Sequence, residues 1–304
     1  MRSASLVAPP PGSFLAWWLA LRPWSFTISL APVLAGSSLA GLDGYPLNPG
    51  LVLAALAGSI LIHAGTNLQN DVGDFRRGAD LVGRIGPRRA TTEGWLSARQ
   101  VQGAATLCFA LAVIPGFYLA ALGGWQIVAI GIASIAAGAA YTAGPRPIAY
   151  TGWGEFFVLV FFGLVAVCGM YYLHAGVMTL PALLAGAAVG ALAAAVLVVN
   201  NLRDIESDRR IGKNTLAVQR GRRFTSWEYA MLLHAPFALA VLIALHEQRM
   251  LLLAPLLLLP WATVLAVRVS RKPAGAWLNG ALAGTARLGL AFAVLLSIGA
   301  ALSP

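Results

Sequence analysis

The chain has 304 residues, of which 59% are hydrophobic and only 11% charged. A soluble globular domain carries about 25% charged residues, so this composition excludes that class and indicates a polytopic membrane protein. The formal net charge of +10 raises the question of a nucleic-acid partner, which the placement of the basic residues answers.

A helix crosses the hydrocarbon layer with about 20 apolar residues. In chain order nine such windows are predicted, at about 17–41, 50–70, 101–121, 124–143, 154–174, 180–202, 227–245, 250–267 and 277–302, an all-α architecture in a single membrane domain over residues 1–304. The opening MRSASLVAPPPGSFLAWW lacks the short uninterrupted apolar region and small-residue cleavage site of a signal peptide, so the first window is expected to be retained. Pro32, Pro236, Pro255 and Pro260 inside windows mark expected kinks, where neighbouring helices resatisfy the freed carbonyls. Cys108 and Cys168 lie far apart in apolar windows with no CxxC pair and read as small core residues.

With the N-terminus cytoplasmic, 19 of the 21 basic residues fall in inside segments, Arg249 falls outside and Arg287 lies within the ninth window. This asymmetry follows the positive-inside rule, sets the expected orientation in a bacterial-type cell membrane and explains the charge without nucleic acid. The outside connections DGYPLNPG, LGG, HAGVMTL and HEQR are short, whereas 71–100 and 203–226 are long and charged. Polar chemistry is therefore expected at the cytoplasmic face.

The two long inside segments open alike. The second window runs into Asn67, Asn70, Asp71, Asp74, Arg76 and Arg77, and the sixth into Asn200, Asn201, Arg203, Asp204, Asp208, Arg209, Arg210 and Lys213. On a continuing helix Asn200, Asp204 and Asp208 share a face, and so do Asn67, Asp71 and Asp74, with Asn70 one turn before Asp74. Gly78 is a natural helix end, beyond which Asp80 folds back toward the stripe. Carboxylates and carboxamide oxygens are hard ligands suited to magnesium, which keeps several waters and is completed by substrate phosphates. The neighbouring Arg76, Arg203, Arg209 and Lys213 suit a diphosphate. Simple pairing of each acid with a nearby arginine is the plainer alternative, and two matching stripes weigh against it.

NDVGDFRRGAD and NNLRDIESDRRIGKNT together resemble the paired Asp-rich motifs of the intramembrane UbiA-type aromatic prenyltransferases. RPWSFTISLAPVLAG at 22–36, RIGPRRATTEGWLSARQV at 84–101, YTAGPRPIAYTGWGEFFVLVFFGLVAVCGMYYL at 141–173 and LNGALAGTARLGLAFAVLLSIG at 278–299 are similar to that superfamily's 1,4-dihydroxy-2-naphthoate polyprenyltransferase branch. The resemblance implies nine helices around a central cavity, capped on the cytoplasmic side by the Asp-rich loops. It places Asn70, Asp74 and Asp80 in the first motif and Asp204 and Asp208 in the second as metal ligands. Where the commonest first motif has its last Asp, this chain has Gly78, and Asp80 stands two residues later.

The resemblance further implies Mg²⁺-dependent transfer of a prenyl chain from its diphosphate to an electron-rich aromatic acid. Asp71, Asp74, Asp204 and Asp208 would carry the chemistry. Asn67, Asn70, Asn200, Arg76, Arg203, Arg209 and Lys213 would hold the diphosphate, and Tyr141 would shield an allylic cation or anchor at the interface. The lipid bilayer houses the prenyl tail. Homogentisate or 4-hydroxybenzoate are alternative acceptors. A transporter is a different reading of the intramembrane charge, but its polar site belongs near the midplane. A phosphatidyl-type phosphotransferase would need one long Asp-rich motif along a helix.

Two polar residues stand apart from the stripes. Arg287, inside the ninth window, is expected to face a cavity or pair with Glu155. His63, one turn above Asn67, reads first as a hydrogen-bonded core histidine and second as a metal ligand.

Overall fold

In the computed structural model, residues 8–78 and 85–303 are described, and among them the chain is entirely helical, with no strand. Helix α1 (Phe14–Leu21) begins at Ser13, whose Oγ accepts the Ala16 amide at 3.3 Å, an N-cap that satisfies an otherwise orphaned donor. Arg22 takes a left-handed conformation, a 3₁₀ turn (Pro23–Phe26) follows, and α2 (Thr27–Leu42) completes the first membrane-length unit. Helix α3 (Pro49–Arg76) starts with an Asn48 cap and Pro49 in its first turn, and α4 (Ala98–Gly123) with a Ser97–Gln100 capping box. Next come α5 (Trp125–Ala140), α6 (Gly154–Leu159), a π-helical segment (Val160–Val165), α7 (Ala166–Ala175) and α8 (Leu180–Arg210). Helix α9 (Leu216–Glu247) is broken at Gly221, and a 3₁₀ stretch (Met250–Leu258) containing Pro255 leads into α10 (Leu259–Arg271) and then α11 (Leu278–Leu302).

Eight of these units are long and apolar enough to cross a membrane. The fourth sequence window, 124–143, corresponds to α5, whose 16 residues span about 24 Å at 1.5 Å per residue, short of a hydrocarbon thickness of about 30 Å. The outer surface is what a bilayer requires: Leu257 is 77% exposed and Trp125 74%, a cost in water but not in hydrocarbon.

Helix α8 is the most enclosed of the eight. Its alanine- and valine-rich faces pack against α2, α7, α9 and α11 in the main core. Small residues let these backbones approach closely, as membrane helices do. At Gly163, in the π-helical segment, a Cβ would lie 2.4 Å from the Gly186 carbonyl and from the Gly190 Cα, so only glycine fits there. The π segment sets Phe161 and Phe162 into the wall of a central cavity. A second core, built from Ala16, Leu68, Val72, Trp95 and Val101, ties α1 and the 85–97 loop to the inner end of α3.

Candidate active site

The cavity has a volume of about 600 Å³. Its wall is apolar over α4, α5 and the α6–α7 rod, through residues such as Val113, Ile132, Phe157 and Phe161, and polar where α3 and α8 end. Asn67, Asn70, Asp74, Tyr141, Asn200, Arg203, Asp204, Asp208 and Lys213 all line it. The two acidic segments, separated by more than a hundred residues of sequence, thus meet at one end of one cavity.

The lining stripe on α3 is Asn67, Asn70 and Asp74, and Asp71 stands outside it. At 100° per residue, Asp74 lies about 20° and Asn70 about 60° to one side of Asn67, whereas Asp71 lies about 40° to the other. Asp71 is 1% exposed and binds the 85–97 loop: its carboxylate accepts the amides of Ala90 at 3.1 Å and Thr91 at 3.3 Å and the Thr91 hydroxyl. Its neighbours assign it to folding that loop. Arg76 reaches Gln102 on α4, and Arg209 pairs with the exposed Glu206 at 3.2 Å; neither lines the cavity. The helix ends where expected, with Gly78 at φ +67°, and Asp80 lies outside the described residues.

Asp74 is held on both oxygens. Arg89 Nη2 donates to Oδ2 at 2.9 Å and the Tyr150 hydroxyl donates to Oδ1 at 3.0 Å. The loop carrying Tyr150 can come this close because Gly73 has no side chain; a Cβ there would meet the Thr142 carbonyl at 2.9 Å. Arg77 fastens the same loop, donating to the carbonyls of Thr142 and Gly144 at 2.7 Å each, and its guanidinium lies 5.0 Å from the Tyr150 ring centre. On the other segment, the Asn214 amide donates to the Tyr150 carbonyl at 3.1 Å, and Lys213 Nζ lies 5.1 Å from the ring. Tyr150 therefore touches both acidic segments. Burial and then the negative charge of Asp74 push its phenol pKa up. Tyr150 therefore stays a neutral hydrogen-bond donor.

The α8 stripe is organised by a buried arginine. Arg203 grips Asp204 through two bonds, 2.8 and 2.6 Å, and also donates to Asn200 and Asn279, both at 2.8 Å. Lys213 Nζ is 3.6 Å from Asp208 Oδ1. Among the described residues, two buried oxygens at this end, Asn70 Oδ1 and Asp208 Oδ2, have no hydrogen-bond partner. Unsatisfied buried acceptors are costly, and in a native protein they call for an ion, a water or a ligand. Among the described residues no three carboxylate, imidazole or thiolate groups form a closed metal cage. The arrangement is an open one, in which carboxamide oxygen, water and a ligand complete a coordination sphere.

The two isolated polar residues find other settings. Arg287 is exposed on α11, and Glu155 instead accepts Asn201 Nδ2 at 2.7 Å. His63 lines the cavity with both ring nitrogens within hydrogen-bond distance of serines, Ser25 at 3.2 Å and Ser29 at 2.8 Å. Cys168 is buried as expected, and Cys108 is half-buried. Tyr150, Arg89 and Asn279 were missed by sequence reasoning, because their partners stand 15 to 76 residues away with no periodic signal.

Comparison with known proteins adds the remaining evidence. The UbiA prenyltransferase family matches residues 29–279. A 1,4-dihydroxy-2-naphthoate octaprenyltransferase from Escherichia coli is 37% identical over 254 residues, covering 80% of this chain and 82% of that protein. One from Mycobacterium tuberculosis is 39% identical, covering 73% and 75%. Among solved structures, a UbiA homolog from Archaeoglobus fulgidus bound to DMAPP and Mg²⁺ shares the fold, with a TM-score of 0.66 over 93% of this chain and 99% of that one at 16% identity. The chain belongs to the UbiA prenyltransferase family.

Proposed function

We propose that this chain transfers a polyprenyl or phytyl group from its diphosphate to 1,4-dihydroxy-2-naphthoate, with loss of the ring carboxylate, in menaquinone or phylloquinone formation. The observation that carries the reading is the pair of unpartnered buried oxygens, Asn70 Oδ1 and Asp208 Oδ2, at the polar end of a cavity whose remaining wall is apolar. That division matches a prenyl diphosphate, with its charged head at one end and its hydrocarbon tail along the rest. The choice of acceptor rests on the dihydroxynaphthoate relatives at 37% and 39% identity.

The donor set suits Mg²⁺: carboxylates of Asp74, Asp204 and Asp208 with the Asn70 carboxamide, hard oxygens with room for phosphate and water. Asp80 belongs to the same set by its place in the first motif. Held by these residues, Mg²⁺ would supply positive charge to offset that developing on the diphosphate as it departs. The chain's own residues do the rest. Lys213, near Asp208, is placed to add a positive charge beside the leaving group. Arg203 and Arg89 fix the orientation of the Asp204 and Asp74 carboxylates. The allylic C–O bond breaks with its electron pair leaving on the diphosphate, and a ring carbon supplies the pair for the new C–C bond. Departure of carboxylate carbon as carbon dioxide returns an electron pair to the ring. Tyr141, on the cavity wall, offers an aromatic face to the cation, and the apolar wall keeps water from it.

The reading places nine helical segments in the bilayer, α5 included, as one domain with its N-terminus and acidic loops in the cytoplasm. Incorporation of labelled geranylgeranyl diphosphate into product by the purified protein, titrated with Mg²⁺, tests it. Turnover that requires the metal supports the site; undiminished turnover in a chelator contradicts it.

A further inference from the structure

A polar cluster runs along the cavity wall from Asn67, at the acidic end, toward the apolar interior. Ser25 on the 3₁₀ turn, Ser29 on α2, and His63 and Asn67 on α3 all belong to the lining. The Ser25 hydroxyl donates to the Arg22 carbonyl at 2.8 Å, which commits its one proton. Its oxygen therefore accepts from its other two neighbours, Asn67 Nδ2 at 3.1 Å and His63 Nε2 at 3.2 Å. With the proton on Nε2, neutral His63 accepts the Ser29 hydroxyl at Nδ1, 2.8 Å away. This is the one tautomer that satisfies every contact. Phe26 and Phe162 meet the imidazole edge-on at 5.5 and 5.2 Å and fix its plane.

Both lone pairs of Ser25 Oγ are thus filled by donors, which strengthens its own O–H as a donor. Ser25 is only half-buried, so this hydroxyl is within reach of the cavity. His63 is seven residues from Asn70 on α3, about 10 Å along the helix axis toward the apolar interior. A prenyl tail has no polar atom to meet the half-buried Ser25 hydroxyl. The second substrate of the proposed reaction, a hydroxylated aromatic ring, does have polar atoms.

We propose that Ser25, backed by His63 and Asn67, is the recognition point for a ring oxygen of the aromatic acceptor. On binding, the Ser25 O–H is shared between the Arg22 carbonyl and the acceptor oxygen, and its lone pairs stay on Asn67 and His63. His63 acts through Ser25 as a positioning residue, and Ser29 fixes its tautomer. The proposal rests on the prenyl-transfer reading above and adds where the acceptor is read.

The test is steady-state kinetics of the full-length protein in detergent, with Mg²⁺, geranylgeranyl diphosphate and dihydroxynaphthoate, for Ser25→Ala, His63→Leu and His63→Gln. Ser25→Ala and His63→Leu should raise the acceptor KM about tenfold, leaving the diphosphate KM within about twofold. His63→Gln, which keeps an N–H donor for Ser25, should recover most of the loss. Competition by 1-hydroxy-2-naphthoate and 4-hydroxy-2-naphthoate, each lacking one hydroxyl, adds a check through non-additivity. For the analogue missing the recognised oxygen, Ser25→Ala should cost no inhibition. Equal movement of both KM values, an unmoved acceptor KM, or full additivity with both analogues would overturn the proposal. If the wild type does not use dihydroxynaphthoate, the function reading fails by itself, and the same variants are assayed with the acceptor it does use.

Discussion

The Tyr150 hydroxyl donates to Asp74 Oδ1 at 3.0 Å, while the backbone carbonyl of Tyr150 accepts the Asn214 amide at 3.1 Å. One residue of the 141–153 connection thereby ties the end of α3 to the segment after α8 and fixes the register between the two acidic stripes. A hydrogen bond to a charged group contributes about 1.5–3 kcal/mol. Tyr150→Phe should therefore lower kcat/KM by about tenfold to a hundredfold and raise the Mg²⁺ concentration needed for half-maximal rate. Unchanged Mg²⁺ dependence would show that the hydroxyl does not position Asp74.

The same contact gives a pH expectation. Burial and then Asp74 raise the Tyr150 phenol above its ordinary 10.0. A raised pKa means the neutral donor contributes fully below about 10 and is lost only above that, as pH climbs through the folded value. The wild-type to Tyr150→Phe rate ratio should hence stay flat from about pH 6.5 to 9. A ratio that collapses toward one within that window would contradict the assignment.

Asp71 and Asp74 are three residues apart on α3 and should fail differently. Asp74→Asn removes a charge from the open oxygen set and should cut turnover per folded protein by at least about a hundredfold, beyond any loss of stability from leaving the buried Arg89 without its carboxylate. Asp71→Ala leaves the buried amides of Ala90 and Thr91 without an acceptor, a stability loss of about 1–3 kcal/mol. Melting in detergent beside the assay separates them; the reverse pattern would exchange the two roles.

Much of this was legible before any coordinates. Hydropathy gave the long helices, and spacing of asparagines and aspartates gave both stripes, because period and composition are local properties. Asp71 shows the limit: a 3–4 spacing does not say which of two adjacent acids faces inward, and only the 85–97 loop, docked by the buried Trp95, decides it. Tyr150 and Asn279 were illegible because their contacts depend on how distant segments dock. Arg287 was misjudged, since charge inside an apolar window says nothing about which side of α11 it occupies. The length of α5 was overread because the apolar window ran past the helix into Tyr141, Thr142 and Ala143.

The orientation proposed from the basic residues puts 71–100 and 203–226 in the cytoplasm and, with the nine crossings proposed, the C-terminus on the opposite side. A Ser303→Cys variant in a background lacking Cys108 and Cys168 should react with an impermeant maleimide added outside intact cells. Labelling only after the membrane is opened would place the C-terminus inside and remove an odd number of crossings.

The central claim is prenyl transfer to dihydroxynaphthoate, and acceptor competition tests it most directly. Purified protein with Mg²⁺ and geranylgeranyl, phytyl or longer prenyl diphosphates is offered 1,4-dihydroxy-2-naphthoate, 4-hydroxybenzoate and homogentisate in parallel, with carbon dioxide release followed from carboxyl-labelled acceptor. The account predicts dihydroxynaphthoate as the preferred acceptor, with one carbon dioxide released per prenyl group attached. A preference of about tenfold or more in kcat/KM for either other acid, about 1.4 kcal/mol of transition-state discrimination, would contradict it.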